Sequence, residues 1–281
     1  MLLAPALVIL VAVTAGPLVY LAGTSVTPLD LTRPGSFRFS GLDNYRELER
    51  DDRFWNSVGE QYRLSAATVL AQLGLGLALA LLLHRPLPFR ELLRTAFIIP
   101  MVLPPIIVAI VWKIWFTPLL TPLNLLSIPL GIAQPAWLTD PALALGTIVL
   151  ADVWEWTPFT TLILLAALHM MPDDPVEAAR VDGASPWQQF RWIVLPLLRP
   201  ALIAAGLFRL IDSFKAFPLI FVMTGGGPGV ATEPTNYYAY TQAFNQTFIG
   251  YSSAMIVVML AVTIVLSAII LRLPGLADDA D

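Results

Sequence analysis

Six long stretches of this chain are almost free of charge, and nothing else limits its fold as much. They cover about residues 2–22, 62–83, 95–116, 142–168, 200–223 and 251–271. Each is close to the about 20 mainly apolar residues that a helix needs to cross a bilayer. In hydrocarbon every backbone polar group must be bonded internally, and a helix does this unaided. The expectation is an all-α, polytopic membrane protein with six transmembrane helices, forming one domain over residues 1–281. Composition agrees, with 57% hydrophobic and 13% charged residues. A soluble domain carries about 25% charged residues, and so few charges could not cover the surface of one this size. The chain is too apolar for disorder. With 16 basic and 20 acidic residues it has no basic excess to bind nucleic acid.

The rare residues remove further classes. There is no Cys, so disulfides, thiolate metal sites and Cys nucleophiles are out. His84 and His169 are too few for most His-based metal centres. Neither of the two lysines, Lys113 and Lys215, follows a glycine, so no Walker A phosphate loop is present. The first run has no basic segment before it and is longer than a signal-peptide core, so it reads as a span. The charge-free stretch 114–139 is punctuated by Pro118, Pro122, Pro129 and Pro135. It reads as an apolar loop against the membrane, a seventh span being the alternative.

Six spans put both termini on one side. Arg85, Arg90, Arg94, Arg180, Arg191, Arg199 and Arg272 then share the side of the termini. The opposite side holds segment 23–61, with five Arg and seven acidic residues, so the positive-inside rule votes only weakly for cytoplasmic termini. Within 23–61, Leu42, Tyr45 and Leu48, then Phe54, Trp55 and Val58, have the spacing of short amphipathic helices at the membrane interface. Such a segment is either a docking surface or a cover over the end of the bundle.

The loop at 170–199 has a different character. Asp174, Pro175 and Glu177 are placed as N-cap, first helical residue and capping-box partner, and Gly183 as the stop. Ser185, Pro186 and Gln188 repeat the start signal, giving a second short helix that ends near Pro196. Helices this short are marginal in water and need a partner surface. Trp187, Phe190 and Ile193 offer an apolar side for it, beside Glu177, Arg180 and Asp182.

In this loop Glu177-Ala178-Ala179, then Gly183, Ile193 and Leu195-Pro196, stand at the spacing of the signature loop of ATP-binding-cassette (ABC) importer permeases. The chain also resembles the maltose-type sugar permeases at Leu3-Ala4-Pro5-Ala6, Gly41-Leu42-Asp43-Asn44-Tyr45, Trp154, Trp156-Thr157-Pro158-Phe159 and Thr224-Gly225-Gly226-Gly227-Pro228. The resemblance implies the type I ABC importer permease fold, in a bacterial or archaeal cell membrane with both termini cytoplasmic. It implies a second permease subunit, two ATPase subunits that use ATP and Mg, and an extracytoplasmic solute-binding protein that delivers a sugar. This chain would bind no cofactor or metal and catalyse nothing itself. Glu177, Ala178, Ala179, Asp182, Gly183, Ile193, Leu195 and Pro196 would form the coupling helix, with Glu177 accepting a charge-assisted hydrogen bond from the ATPase. The chain departs from the pattern in starting inside its first span rather than with a short basic tail, and it lacks the large external insertion of the maltose system's larger subunit.

Charges inside the spans complete the picture. Asp152 and Glu155 fall in the fourth run, and Arg209, Asp212 and Lys215 in the fifth. Each costs about 2.5–3.5 kcal/mol at mid-membrane, so they must pair or face a wet cavity. Lys113, near the end of the third run, can snorkel. By resemblance Asp152, Glu155, Trp156, Phe159, Arg209, Asp212 and Ser213 line the sugar path, carboxylates taking hydroxyls and rings stacking on a pyranose. Pairing of Arg209 with Asp212 alone is the structural alternative. A secondary transporter or channel is the alternative function, for which the 177–196 loop has no use. No H-E-x-x-H motif supports an intramembrane enzyme.

Overall fold

In the computed structural model, residues 4–86, 88, 90–117 and 135–272 are described, residues 90, 91, 93 and 94 by their backbone alone. Residues Leu2 and Leu3, and most of the proline-rich 114–139 stretch, lie outside them. The described secondary structure is helical, apart from one isolated antiparallel bridge between Asp30 and Phe248. Four helices are long and apolar enough to cross a membrane: α1 (Ala4–Ser25), α3 (Asp52–His84), α6 (Pro141–Met170) and α12 (Ile249–Leu271). Two bent helix pairs bring the number of candidate spans to six. A short helix, α2 (Asp43–Arg50), lies between α1 and α3.

Both bends lie where proline removes a backbone donor. α4 (Arg90–Val102) and α5 (Pro105–Phe116) meet at 99° across Leu103 and Pro104. Two consecutive prolines cannot continue a helix and hold the residue before them extended. After α6, α7 (Asp174–Val181) and α8 (Pro186–Leu197) form the expected helix pair. α8 then bends by 61° into α9 (Arg199–Ser213) across Leu198, which is 1% exposed among Ala80, Leu83, Leu164, Leu165 and Leu168.

The fifth run is not one continuous helix. α9 stops at Ser213, and α10 (Pro218–Met223) starts after four intervening residues. Pro218 opens the new helix, and side chains take over the carbonyls stranded at the break. Gln61 donates to the Ser213 carbonyl (3.2 Å) and Asn236, on α11 (Thr235–Tyr240), to that of Phe214 (3.3 Å).

The second correction concerns residues 52–58. They are not a separate interfacial helix but the first turns of α3. Asp51 caps that helix, accepting from the N–H groups of Arg53 (2.9 Å) and Phe54 (3.1 Å). Gly59 costs about 1 kcal/mol in a helix interior and is too weak a breaker to stop it. Phe54 is buried with Leu48, Tyr238 and Met255, so its apolar spacing serves the core.

α3 and α6 form the tightest seam. A Cβ placed on Gly76 would lie 2.5 Å from Thr160 Oγ1, so only glycine fits there. Thr160 Oγ1 also donates to the Gln72 carbonyl (3.0 Å). At the far end of α1, Asn44 on α2 donates to the carbonyls of Ser25 (2.7 Å) and Thr27 (2.8 Å), and Thr24 bonds Ser253 of α12 (2.8 Å).

Candidate functional site

The α7–α8 pair is a self-bonded hairpin with no buried residue in α7. Its stop is a Schellman motif. Gly183 takes φ 82°, its N–H bonds the Arg180 carbonyl (3.2 Å), and the Ala184 N–H bonds that of Ala179 (2.9 Å). The start differs from expectation. Asp173, not Asp174, is the N-cap, and no side chain caps the helix. With Asp173 as N-cap, Glu177 is the fourth helical residue instead of the third, so the expected box with it does not form. The second start is as expected. Ser185 Oγ accepts from the Gln188 N–H (3.3 Å), and Gln188 returns the bond to the Ser185 N–H (2.7 Å). Residues Phe190–Val194 widen into a π-helical turn just before Pro196, whose ring would otherwise clash with the carbonyl four residues back.

Glu177, Ala178, Asp182, Gly183 and Pro196 are exposed, and Ala179, Ile193 and Leu195 are half-buried. Asp182, Gly183, Gln188, Trp192 and Ile193 border a cleft of about 300 Å³. Val181, Trp187 and Trp192 are 88%, 68% and 71% exposed beside it. An apolar set of this size on a rigid, charged hairpin is the mark of a docking surface.

Of the charges of the fourth and fifth runs, Asp152, Arg209 and Asp212 meet in one cluster, and Lys215 is exposed. Arg209 of α9 is 1% exposed. Its Nε donates to Gln72 Oε1 (2.8 Å), its Nη2 to Asp152 Oδ1 (3.2 Å) and its Nη1 to Asp212 Oδ2 (2.6 Å). The guanidinium also lies 4.7 Å from the centre of the Trp156 ring. Gln72 closes the circuit by donating to Asp152 Oδ1 (2.8 Å). Ser213 Oγ sits 2.9 Å from Ser65 Oγ. Glu155 is buried on the same α6 face, and neither of its carboxyl oxygens has a hydrogen-bond partner. Trp156 and Phe159 are half-buried, and the Asp212 side chain is 42% exposed. The structure therefore answers the cost of the charges on Asp152, Arg209 and Asp212 by pairing, and leaves Glu155 buried without a hydrogen bond. Asp152 and Arg209 hold α3, α6 and α9 together, while Asp212, Trp156 and Phe159 keep open surface.

No charge marks the contribution of α3 in the sequence between Gln72 and Gly76. Gln61, Ser65, Thr68, Gln72 and Gly76 follow one another at four, three, four and four residues, one helix face, and all are buried. That polar stripe inside an apolar run was the available signal. Lys113 does not simply reach outward. Its Nζ donates to the Val222 carbonyl (2.7 Å) in the last turn of α10, where a cation is favoured.

At the other end, Asp51 accepts from the hydroxyls of Tyr238 (2.7 Å) and Tyr251 (2.5 Å). Burial works to raise the Asp51 carboxyl. The bonds from Tyr251, Tyr238 and the N–H groups of Phe54 and Arg53 outweigh it and hold the group below the usual carboxylate range. Arg53 makes a two-pronged pair with Glu233 (2.7 and 2.8 Å). Gly226, at φ 81°, lies so close to Tyr237 that a Cβ would sit 2.8 Å from its ring, so the Gly225–Pro228 turn is packed down rather than projecting.

The family described as binding-protein-dependent transport system inner membrane component matches residues 72–274. The chain belongs to this family. The match takes in α3 from Gln72 onward, the α7–α8 hairpin and the Arg209 cluster. Over 278 residues the chain is 37% identical to the trehalose transport system permease protein SugA of Mycobacterium tuberculosis, covering 99% of this chain and 88% of that one. It is 40% identical over 231 residues to the trehalose/maltose transport system permease protein MalF of Thermococcus litoralis, covering 81% and 78%. Its fold is shared with a chain of a bacterial alginate ABC transporter, with a TM-score of 0.84, 19% identity and coverage of 98% and 93%. The all-α permease fold is thus that of an ABC importer subunit, and the multi-pass membrane location follows from the family.

Proposed function

We propose that the chain forms, with a second permease subunit, the membrane path of a sugar importer, and that α7–α8 is the element an ATPase subunit grips. The observation that carries this is the hairpin itself. It is closed by its own backbone and cap bonds, has no buried residue in α7, and is continuous through Leu198 with the helix that bears Arg209. In this reading Glu177, Ala178, Ala179, Asp182, Gly183, Ile193, Leu195 and Pro196 meet the ATPase, which uses ATP and Mg. The chain binds no cofactor and hydrolyses nothing. Both termini and α7–α8 face the cytoplasm, and a solute-binding protein docks at the α2 end. The trehalose and maltose named for the relatives support a glucose disaccharide as the solute. Trp156, Phe159 and Asp212 touch it from the open side of the cluster, and Asp152, Glu155, Arg209 and Ser213 hold that wall from behind.

Reconstituted complex in vesicles, with ATP inside or outside, tests the reading. Uptake of radiolabelled disaccharide should need ATP and the binding protein, and Glu177→Lys should leave the complex inserted but abolish uptake. Uptake by this chain alone without ATP would instead make it a secondary transporter or channel.

A further inference from the structure

The segment between α1 and α2 is a hook rather than a strand of open loop. Ser36 Oγ donates to the Asp30 carbonyl (2.8 Å) and accepts from the Asp30 N–H (3.1 Å). The Thr32 N–H bonds Asp30 Oδ1 (2.9 Å), and the Leu31 N–H bonds the Thr247 carbonyl (3.2 Å). The hook closes where the Ser40 N–H returns to the Val26 carbonyl (2.9 Å). So held, it presents Phe37 and Phe39 at 70% and 80% exposure, with Leu31 beside them. Residues 31–40 include two arginines, Arg33 and Arg38, and no acid. Arg33 is tethered to Asp30 (3.1 Å), and Arg38 has no ion-pair partner among the described residues.

The depth of the hook follows from α1. Its 22 residues rise about 33 Å at 1.5 Å each, close to the roughly 30 Å of bilayer hydrocarbon. Val26 directly follows α1 and therefore lies at the headgroup boundary. Phe39 is one residue from the atom that bonds Val26. Aromatic rings are enriched at that depth, and arginine suits a phosphate oxygen. α1 itself is exposed along almost its whole length, so the hook continues a surface already turned towards the bilayer.

We propose that residues 31–40 are a phospholipid anchor: Phe37 and Phe39 enter the boundary between headgroups and acyl chains, and Arg38 and Arg33 engage the phosphodiesters. This gives the hook the interfacial role expected of a separate helix at residues 52–58, which are instead the first turns of α3. Both leaflets offer the same phosphodiester chemistry, so the contact does not depend on which way the chain faces.

The absence of cysteine makes a direct test simple. Spin labels on Phe37→Cys, Phe39→Cys and, as an aqueous reference, Arg46→Cys of α2 would be read in the full importer complex in phosphatidylglycerol nanodiscs, its other subunits made thiol-free. Both hook positions are exposed, so neither variant loses packing. At 37 and 39, collisions with oxygen should exceed those with a water-soluble nickel chelate, and at 46 the order should reverse. Adding Arg38→Glu should shift label 39 towards water. Overturning results are an aqueous signature at both hook positions, or labels shielded from both reagents by a neighbouring subunit. Labels that are aqueous until the solute-binding protein arrives would also overturn it, and would make the hook a protein-docking surface.

Discussion

Removing the Arg209 guanidinium should damage the chain far more than removing any other charge it carries. Arg209→Met keeps the length of the side chain but deletes three charge-assisted bonds to Gln72, Asp152 and Asp212. Asp152, with a side chain 5% exposed, would keep only its bond from Gln72. Breaking one side of a buried ion pair costs about 3–5 kcal/mol, mostly the burden of the charge left behind. At about 2–4 °C per kcal/mol for a chain of about this size, the midpoint in mild detergent should fall by roughly 6–20 °C. Asp152→Asn retains the shape and an acceptor for Gln72, so it should cost less, about 1–3 kcal/mol. The double variant has no stranded carboxylate at 152. It should be more stable than Arg209→Met alone, a coupling of up to about 3 kcal/mol. Thermal unfolding of the four proteins, followed by size-exclusion fluorescence, gives the cycle. If the single losses simply add, or Arg209→Met costs under about 1 kcal/mol, then the cluster does not hold α3, α6 and α9 together.

Three other outcomes follow from the geometry. Gly76→Ala should destabilise by about 1–3 kcal/mol through overpacking against Thr160, and Thr160→Gly in the same chain should return most of that loss in the unfolding midpoint. Gly183→Ala, forced to hold φ 82°, should cost about 1–2 kcal/mol in the hairpin, read as faster protease cleavage between α7 and α8 with the spans intact. Asp51 has a lowered pKa, so its contribution to stability is present above the unfolded value and lost as pH falls through the folded one. Unfolding midpoints should therefore drop below about pH 4 in the native chain, and Asp51→Asn should flatten that slope.

What could be read in advance, and what could not, divides along physical lines. Helical runs were legible because lipid solvent imposes one length and one composition. The α8 start and the Gly183 stop were legible because cap and Schellman chemistry is local. The break after Ser213 was not, because hydropathy is blind to it. Apart from Lys215, residues 214–223 are apolar like a span, and the break is stabilised from afar by Gln61 and Asn236. The helix to which residues 52–58 belong was misplaced for a related reason. Their three-residue spacing fits an interfacial helix and a core-facing one equally well, and only Tyr238 and Met255, nearly 200 residues away, decide it. The partners of Arg209 were half visible: both carboxylates stood out as charges, whereas Gln72 is neutral and lay hidden in a Leu-rich run.

The arrangement also limits how a push on α7–α8 can reach the middle of the membrane. α8 and α9 are joined across one residue, Leu198, packed between the near ends of α3 and α6. Those two helices cannot slide along each other easily, because Gly76 leaves no slack against Thr160. In the proposed importer, a hairpin displaced by an ATPase subunit would load α9 at Leu198 first. The contacts that a turn of α9 there would load next are those of Arg209, eleven residues along, and then those by which Ser65 and Gln61 of α3 hold the terminus at Ser213. A continuous helix through residues 214–217 would transmit the same rotation into α10 and its packing on α5. The break therefore confines the motion to the half of the span that carries Arg209, Asp212 and Ser213.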